Sequence, residues 1–304
     1  MIDLSISIVN YNDKECLAAC LESIYSHGQD MSVEVIVVDN GSCDGSTEFV
    51  KRAFPSVRVI ENPENRGFVK ANNQGIRVSQ GRHLLSLNND TIIQNGTLAG
   101  LVRFMQEHPD VGACGPKVLN QDGTFQRQCR RSFPTISSSL SYFLKLHKLF
   151  PRSEFFGRYL MTPWDCDRGG EVDSVSGCCL MVRREVIEKV GVLDENFIMY
   201  GDDLDWCYRI KQAGWKVCYV PGVQIVHLGG QSSRRLSRRC VVLFYRAMAV
   251  FYRKHYASRH TFIVNSLVYA GIWLKAGVAL GINLFRKEKV VGSKKPRVER
   301  TLVL

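Results

Sequence analysis

Leu84-Leu85-Ser86-Leu87-Asn88-Asn89-Asp90-Thr91 joins a short apolar run to a cluster of side-chain oxygens. Residues 83–87 read as a buried strand, and Asn88 to Asp90 as what that strand delivers at its carboxyl end. Open α/β sheets bind ligands in the crevice outside those ends. An Asn and an Asp two residues apart supply the few protein oxygens that a hard cation needs when phosphate and water fill its other positions. The same residues also suit a plain turn, because Asn and Asp bond their own backbone. The choice between a site and a turn falls to the surrounding chain.

Upstream, residues 6–9 and 33–38 are short strands rich in β-branched residues, and residues 15–26 between them are helical. A strand over 57–60 and a helix over 68–78 lead into the strand at 83–87. Downstream come a helix at 97–107, a strand at 111–118, a strand at 175–182, helices at 183–190 and 203–213, and strands at 217–219 and 223–226. This alternation predicts an α/β domain over residues 1–230, with a mostly parallel sheet and helices on both faces. Residues 120–170 interrupt it with Arg127, Arg130, Arg131, Pro134 and a serine run, and are expected to form a mobile insertion or lid.

The formal net charge of +11 is unevenly placed: residues 231–304 carry 16 Lys and Arg against Glu288 and Glu299 alone. Such asymmetry suggests nucleic acid or an anionic membrane surface. Apolar stretches at 262–274 and 276–285, separated by Lys275, make a membrane the expected partner of this basic helical extension and nucleic acid an unexpected one. Asn265, Lys275 and Asn283 speak against a spanning segment, so an interfacial helix is expected, with a helix packed on the domain as the alternative. The 11 cysteines include no C-x-x-C pair, and the N-terminus has no secretory signal; both point to a reducing cytosol, with Cys178 and Cys179 as buried thiols.

Several segments carry candidate chemistry. The strand ending at Val38 delivers Asp39-Asn40-Gly41-Ser42, and a carboxylate there can bind a base or ribose, although the four residues are also ordinary turn chemistry. Asn65-Arg66-Gly67-Phe68 opens a helix, placing Arg66 where an anion can be met. Tyr200-Gly201-Asp202-Asp203-Leu204-Asp205-Trp206 starts another helix with three acids. The helix dipole favours them there, and their mutual repulsion can raise one pKa into the range of a general base. His227 ends an apolar strand, either as a core histidine or as a metal ligand. With no G-x-G-x-x-G and no G-x-x-x-x-G-K-[ST], a dinucleotide dehydrogenase and a P-loop NTPase are disfavoured.

Taken in order, Ser7 to Asn12, Val37 to Ser42, Asn65 to Phe68, Leu87 to Thr91, Tyr200 to Asp205 and His227 resemble the family 2 glycosyltransferases over roughly residues 3–230, most of all the bacterial rhamnosyltransferase-like branch that builds cell-surface polysaccharide. The resemblance implies a GT-A (Rossmann-like) fold and inverting transfer of a sugar, rhamnose or another deoxyhexose, from a dTDP- or UDP-sugar to a lipid-linked or polysaccharide acceptor. It also implies a divalent cation, Mg2+ or Mn2+, and an enzyme at the cytoplasmic face of the cell membrane. Asp203 would be the base that deprotonates the acceptor, with Asp202, Asp205 and Trp206 on the acceptor side. Asp90, Asn88 and His227 would hold the metal. Asp39, Asn10, Asn40, Ser42, Asn65, Arg66, Gly67, Asn73 and Asn89 would bind the donor.

Asn88 departs from the family's pattern by replacing the first acid of D-x-D with a neutral ligand. Two other classes compete. A nucleotidyltransferase would show a Gly-rich, basic triphosphate loop, which residues 1–20 lack, and a membrane-peripheral binding module would hydrolyse no donor.

Overall fold

The computed structural model describes residues 2–26, 31–229 and 238–285. Its first half runs β1 (Leu4–Asn10), α1 (Lys14–Tyr25), β2 (Val33–Asp39), α2 (Ser46–Ala53), β3 (Arg58–Glu61), α3 (Phe68–Val78), β4 (His83–Asn88), β5 (Thr91–Ile93), α4 (Thr97–Glu107) and β6 (Val111–Asn120). There follow β7 (Arg130–Arg131), α5 (Ile136–Phe143), α6 (Leu146–Leu149), β8 (Gly170–Val172), β9 (Ser174–Val175), β10 (Cys179–Arg183), α7 (Arg184–Val190), α8 (Asp202–Gln212) and β11 (Lys216–His227). The chain continues through α9 (Arg238–His255) and α10 (Phe262–Phe285).

Nine strands form the main sheet in the order β3-β2-β1-β4-β10-β6-β11-β5, with β8 added on β11. The long ladders, β1 with β2 and β4 and β6 with β11, are parallel; β10, β5 and β8 enter antiparallel. β1 is buried along its whole length, as a strand covered on both faces must be. Its serines leave room for α3: a Cβ on Gly75 would stand 2.1 Å from Ser7 Oγ, so that helix packs closer than any side chain there permits. β1, β2 and β4 therefore end side by side, and the turns after Asn10, Asp39 and Asn88 share one rim.

Several elements differ from the sequence reading. α2 was not expected. The strands expected at 217–219 and 223–226 are one strand, β11, in which Val220 pairs with Pro116 and Gln224 with Lys117 while residues 221–223 loop out. Within the stretch 120–170, expected as an insertion or lid, β7 pairs with β9, and buried Arg130 donates to the carbonyls of Trp164 and Asp165 (2.9 and 2.8 Å). The two apolar tail stretches form a single helix, α10, about 36 Å long at 1.5 Å per residue.

α10 has the character of both expected alternatives. One face packs Ile272 and Ala276 against Val241 and Tyr245 of α9, while Leu267, Leu274 and Ile282 are exposed. The helix is long and apolar enough to cross a membrane by length and composition, although one face is engaged with the protein. Residues 286–304 of the basic extension lie outside the described residues. No disulfide links the cysteines among the described residues, and Cys178 and Cys179 are buried.

Candidate active site

The turn between β4 and β5 places Asp90 against His227, the last residue of β11. β5 and β11 pair antiparallel with Thr91 opposite His227, and the Leu228 amide donates to the Asp90 carbonyl at 2.8 Å. The side chains meet with His227 Nε2 3.1 Å from Asp90 Oδ1. On the other side of the ring, Nδ1 lies 3.1 Å from Gln126 Oε1, and that amide is oriented by its own Nε2 donating to Asn120 Oδ1 at 3.1 Å. An amide oxygen facing Nδ1 requires the proton on Nδ1. The Nε2 lone pair of the neutral ring then faces a carboxylate oxygen, and two acceptors at that distance need a cation or a second proton between them. An imidazole nitrogen and a carboxylate, beside the Asn88 side chain in the same wall, are a donor set that suits a divalent ion.

The rim at β1 and β2 is a continuous polar network. Asp39 accepts from the Ser42 amide (2.9 Å) and Asn10 Nδ2 (3.3 Å), while Asn10 Oδ1 accepts from Asn89 Nδ2 (2.9 Å). Asn40 donates to Asn65 Oδ1 (3.0 Å) and accepts from the Arg66 amide (3.0 Å), binding the β2 turn to the loop before α3. That approach demands glycine at 41: φ is +82°, and a Cβ would lie 2.8 Å from the Glu64 backbone. Asn40, Asn65, Arg66, Gly67 and Asn89 line the cleft, whereas Asp39, Asn10 and Ser42 lie just beneath its wall and hold it in place.

Asn73, expected at the donor, does not reach the cleft. It is fully buried and holds the loop after α7, donating to the Leu193 carbonyl (2.9 Å) and accepting the Leu193 amide (3.1 Å).

Opposite the Asp90 turn, α8 brings Asp202 and Asp203 into the cleft at its N-terminus. Asp203 Oδ2 accepts from Arg131 Nη2 and from the Gly177 amide (3.0 Å), and Oδ1 from the Leu204 amide (2.8 Å). Burial alone would lower the pKa of Arg131, but the Asp203 charge overrides it and raises it. Burial, then the neighbouring Asp203 charge, pushes the Asp202 carboxyl up to about 7.

Asp205 and Trp206, expected on the acceptor side, are corrected by the structure. Both are fully buried and absent from the cleft wall, because their side chains turn to α9 and to the Gly191 carbonyl. Asp205 takes His255 Nε2 and Lys254 Nζ of α9, both at 2.7 Å, and Arg209 Nε at 2.8 Å. Burial would raise its pKa, but these donors lower it to about 2. Its role is to anchor α9. Trp206 donates Nε1 to the Gly191 carbonyl at 2.9 Å.

The short turn 176–178 spans the two sides: the Gly177 amide holds Asp203, and the Cys178 carbonyl accepts the Asn88 amide at 2.9 Å. The Asp90–His227 pair and Asp203 thus face one cleft, whose volume is about 2690 Å³. A site for one small ligand takes roughly 300–1,000 Å³, so there is room for two substrates.

Four lining residues were missed by the sequence reading: Tyr11, exposed at the rim beside Asn12; Asp13; Gln126; and Arg131 as the partner of Asp203. Burial raises the pKa of Asp13, hydrogen bonding to Cys16 opposes that, and the Asp90 charge adds to the rise. Only Tyr11 had a signal in sequence, its place between Asn10 and Asn12.

Residues 5–191 match the family model for glycosyl transferase family 2, and the chain belongs to that family. It is a glycosyltransferase. Among curated proteins it is 28% identical over 243 residues to an N-acetylglucosaminyl-diphospho-decaprenol L-rhamnosyltransferase of Mycobacterium tuberculosis, covering 76% of this chain and 78% of that one. It is 27% identical over 229 residues to the low-salt glycan biosynthesis hexosyltransferase Agl10 of Haloferax volcanii, covering 74% and 67%.

Among solved structures, a mannosyltransferase of Pyrobaculum calidifontis in complex with GDP-Man and Mn2+ superposes with a TM-score of 0.57 at 19% identity, over 94% of this chain and 76% of that one. A GalNAc transferase with UDP, GalNAc and Mn2+ gives 0.55 at 18%, over 75% of this chain and 44% of the other. The shared fold is GT-A. The family match ends at residue 191, so Asp203 and His227 enter the site through geometry.

Proposed function

We propose that this glycosyltransferase moves rhamnose or a related deoxyhexose, with inversion, from a dTDP- or UDP-sugar to a sugar carried on a lipid diphosphate, in cell-surface glycan assembly at the cytoplasmic face of the membrane. The observation that carries the reading is that Asp203 and the Asp90–His227 pair line one cleft, bridged by the turn 176–178. The acceptor class is supported by the mycobacterial relative, whose name specifies such an acceptor.

Inverting transfer is a single displacement. It requires a base at the acceptor hydroxyl, stabilisation of the departing diphosphate, and no enzyme nucleophile. Asp203, fixed by three donors, takes the hydroxyl proton. Arg131 compensates its charge before transfer. Asn40, Asn65 and Asn89 position the nucleoside and sugar, Arg66 meets the phosphates at the start of α3, and Tyr11 offers an exposed ring to the base. Asp90, Asn88 and His227 would hold a divalent cation, which when bound neutralises diphosphate charge.

The test is a transfer assay with dTDP-rhamnose and a panel of other nucleotide sugars, a GlcNAc-diphospho-lipid acceptor, and added or chelated Mn2+. Turnover with one donor, dependent on cation, is expected. Turnover that is indifferent to chelation would overturn the metal assignment, and no turnover with any deoxyhexose donor would overturn the donor class.

A further inference from the structure

The cleft described above is chemically divided. Every carboxylate in its wall, Asp13, Asp90, Glu195, Asp202 and Asp203, belongs to the sheet side. The wall built from α5, α9 and α10 contributes none, and supplies Arg239, Arg246 and Lys275 instead. Between these cations the wall is apolar, with Leu140 of α5 57% exposed and Leu267 of α10 68% exposed. Soluble proteins rarely leave contiguous apolar surface uncovered without a ligand or partner for it.

Lys275 is the only charged residue of α10. Its ammonium sits 5.8 Å from the centroid of the Phe143 ring of α5, a cation–π contact that carries the charge across the gap between the two helices. A cation placed within an apolar wall, and continuous with the pocket that holds Asp203, suits a ligand with an anionic head and a hydrocarbon tail.

We propose that the helical half of the cleft is a binding site for a polyisoprenyl diphosphate. Arg246 and Lys275 take the diphosphate, and Leu140 and Leu267 take the first isoprene units. This rests on the reading that the acceptor sugar is carried on a lipid diphosphate, and it assigns the carrier's diphosphate to Arg246 and Lys275, which lie outside the family 2 match. It gives the surplus volume an occupant: the nucleotide sugar fills the sheet half and the carrier the helical half, so the sugar between them meets Asp203.

The experiment uses the full chain and farnesyl diphosphate, with farnesol and inorganic diphosphate as the separate halves of the ligand. Binding is measured in EDTA, so that metal-bridged diphosphate binding at Asp90 is silent. Farnesyl diphosphate is expected to bind more tightly than either half. Lys275→Ala should weaken it about tenfold, the worth of one charge-assisted hydrogen bond. Leu140→Ser, at an exposed position, should weaken farnesyl diphosphate while sparing inorganic diphosphate. A thermal shift with nucleoside diphosphate and Mn2+ verifies that each variant is folded.

Equal binding by wild type and both variants would overturn the groove and leave the lipid-acceptor reading standing. Failure of the wild type to bind farnesyl diphosphate, together with transfer to a water-soluble glycan but not to a farnesyl-diphospho-sugar, would overturn both. Pelleting with phosphatidylglycerol vesicles that farnesyl diphosphate does not relieve would make the face a bilayer-docking surface and also sink the proposal.

Discussion

At the sheet end of the cleft the functional side chains are cross-braced: His227 is held through Gln126 and Asn120, Asp203 by three donors, and Asn89 through Asn10 to Asp39. At the helical end, the cations and apolar side chains of α5, α9 and α10 stand at an open wall. The contrast separates two demands on one enzyme. Proton and phosphate chemistry needs groups fixed to a fraction of an ångström, whereas a long apolar carrier needs area and charge but little angular precision.

The largest expected effect lies at the braced end. Asp203→Asn should lower transfer by about 10²- to 10⁴-fold while nucleotide-sugar affinity is kept. Retention of more than half of wild-type turnover at saturating acceptor would remove the base from Asp203 and break the contrast.

Asp205→Asn should act on the link between the two ends instead. Removing one partner from a buried ion-pair cluster costs about 3–5 kcal/mol, read as a loss of denaturant midpoint, and α9 should become the first helix to lose hydrogen-exchange protection. A uniform loss across the sheet would show that the two ends are not separable.

Asp90→Ala should weaken nucleotide-sugar binding chiefly when Mn2+ is present, and isothermal titration with and without chelator reads the difference. An equal loss in both conditions would reduce Asp90 to a turn residue.

The smallest expected effect concerns pH, and here Asp202 and Asp205 have opposite signs. The folded-state pKa of Asp202 is raised to about 7, so its contribution to stability is fully present at low pH and is lost as pH rises through that value. That of Asp205 is lowered to about 2, so its contribution is present above the ordinary carboxylate range and is lost as pH falls toward that value. Asp202→Asn, which mimics the protonated form, should therefore raise the melting temperature relative to wild type most at neutral pH and above, less in mild acid, and not at all below the ordinary carboxylate range. A gain of the same size in acid would deny Asp202 its raised pKa.

What the sequence made legible follows from locality. Strand ends are marked by the change from a β-branched run to Asn, Asp and Gly, so Asp39, Asn89 and Asp90 could be placed at one rim before any contact was known. Arg131 could not be paired with Asp203, because 72 residues separate them and neither carries a mark of the other. Asn73 was misplaced for the same reason. An asparagine on a helix looks alike whether it faces a cleft or a loop 120 residues away. α2 escaped notice because it is only 8 residues long, little more than two turns, and two of its three buried positions are Ser46 and Thr47. Asp205 and Trp206 were assigned by adjacency to the acidic pair, and adjacency along a helix does not report depth.

The looped-out residues 221–223 of β11 touch neither the cleft nor its proposed ligands, yet they meter the site. Read straight through from Val220 opposite Pro116, the strand would bring Gln224, and not His227, opposite Asn120. Surface loops ordinarily absorb insertions and deletions with little harm. Here a change of one residue that slides the strand would turn His227 to the other face of the sheet and away from Asp90. The length of a loop outside the cleft is thus as much a specification of the Asp90–His227 pair as the identity of the histidine.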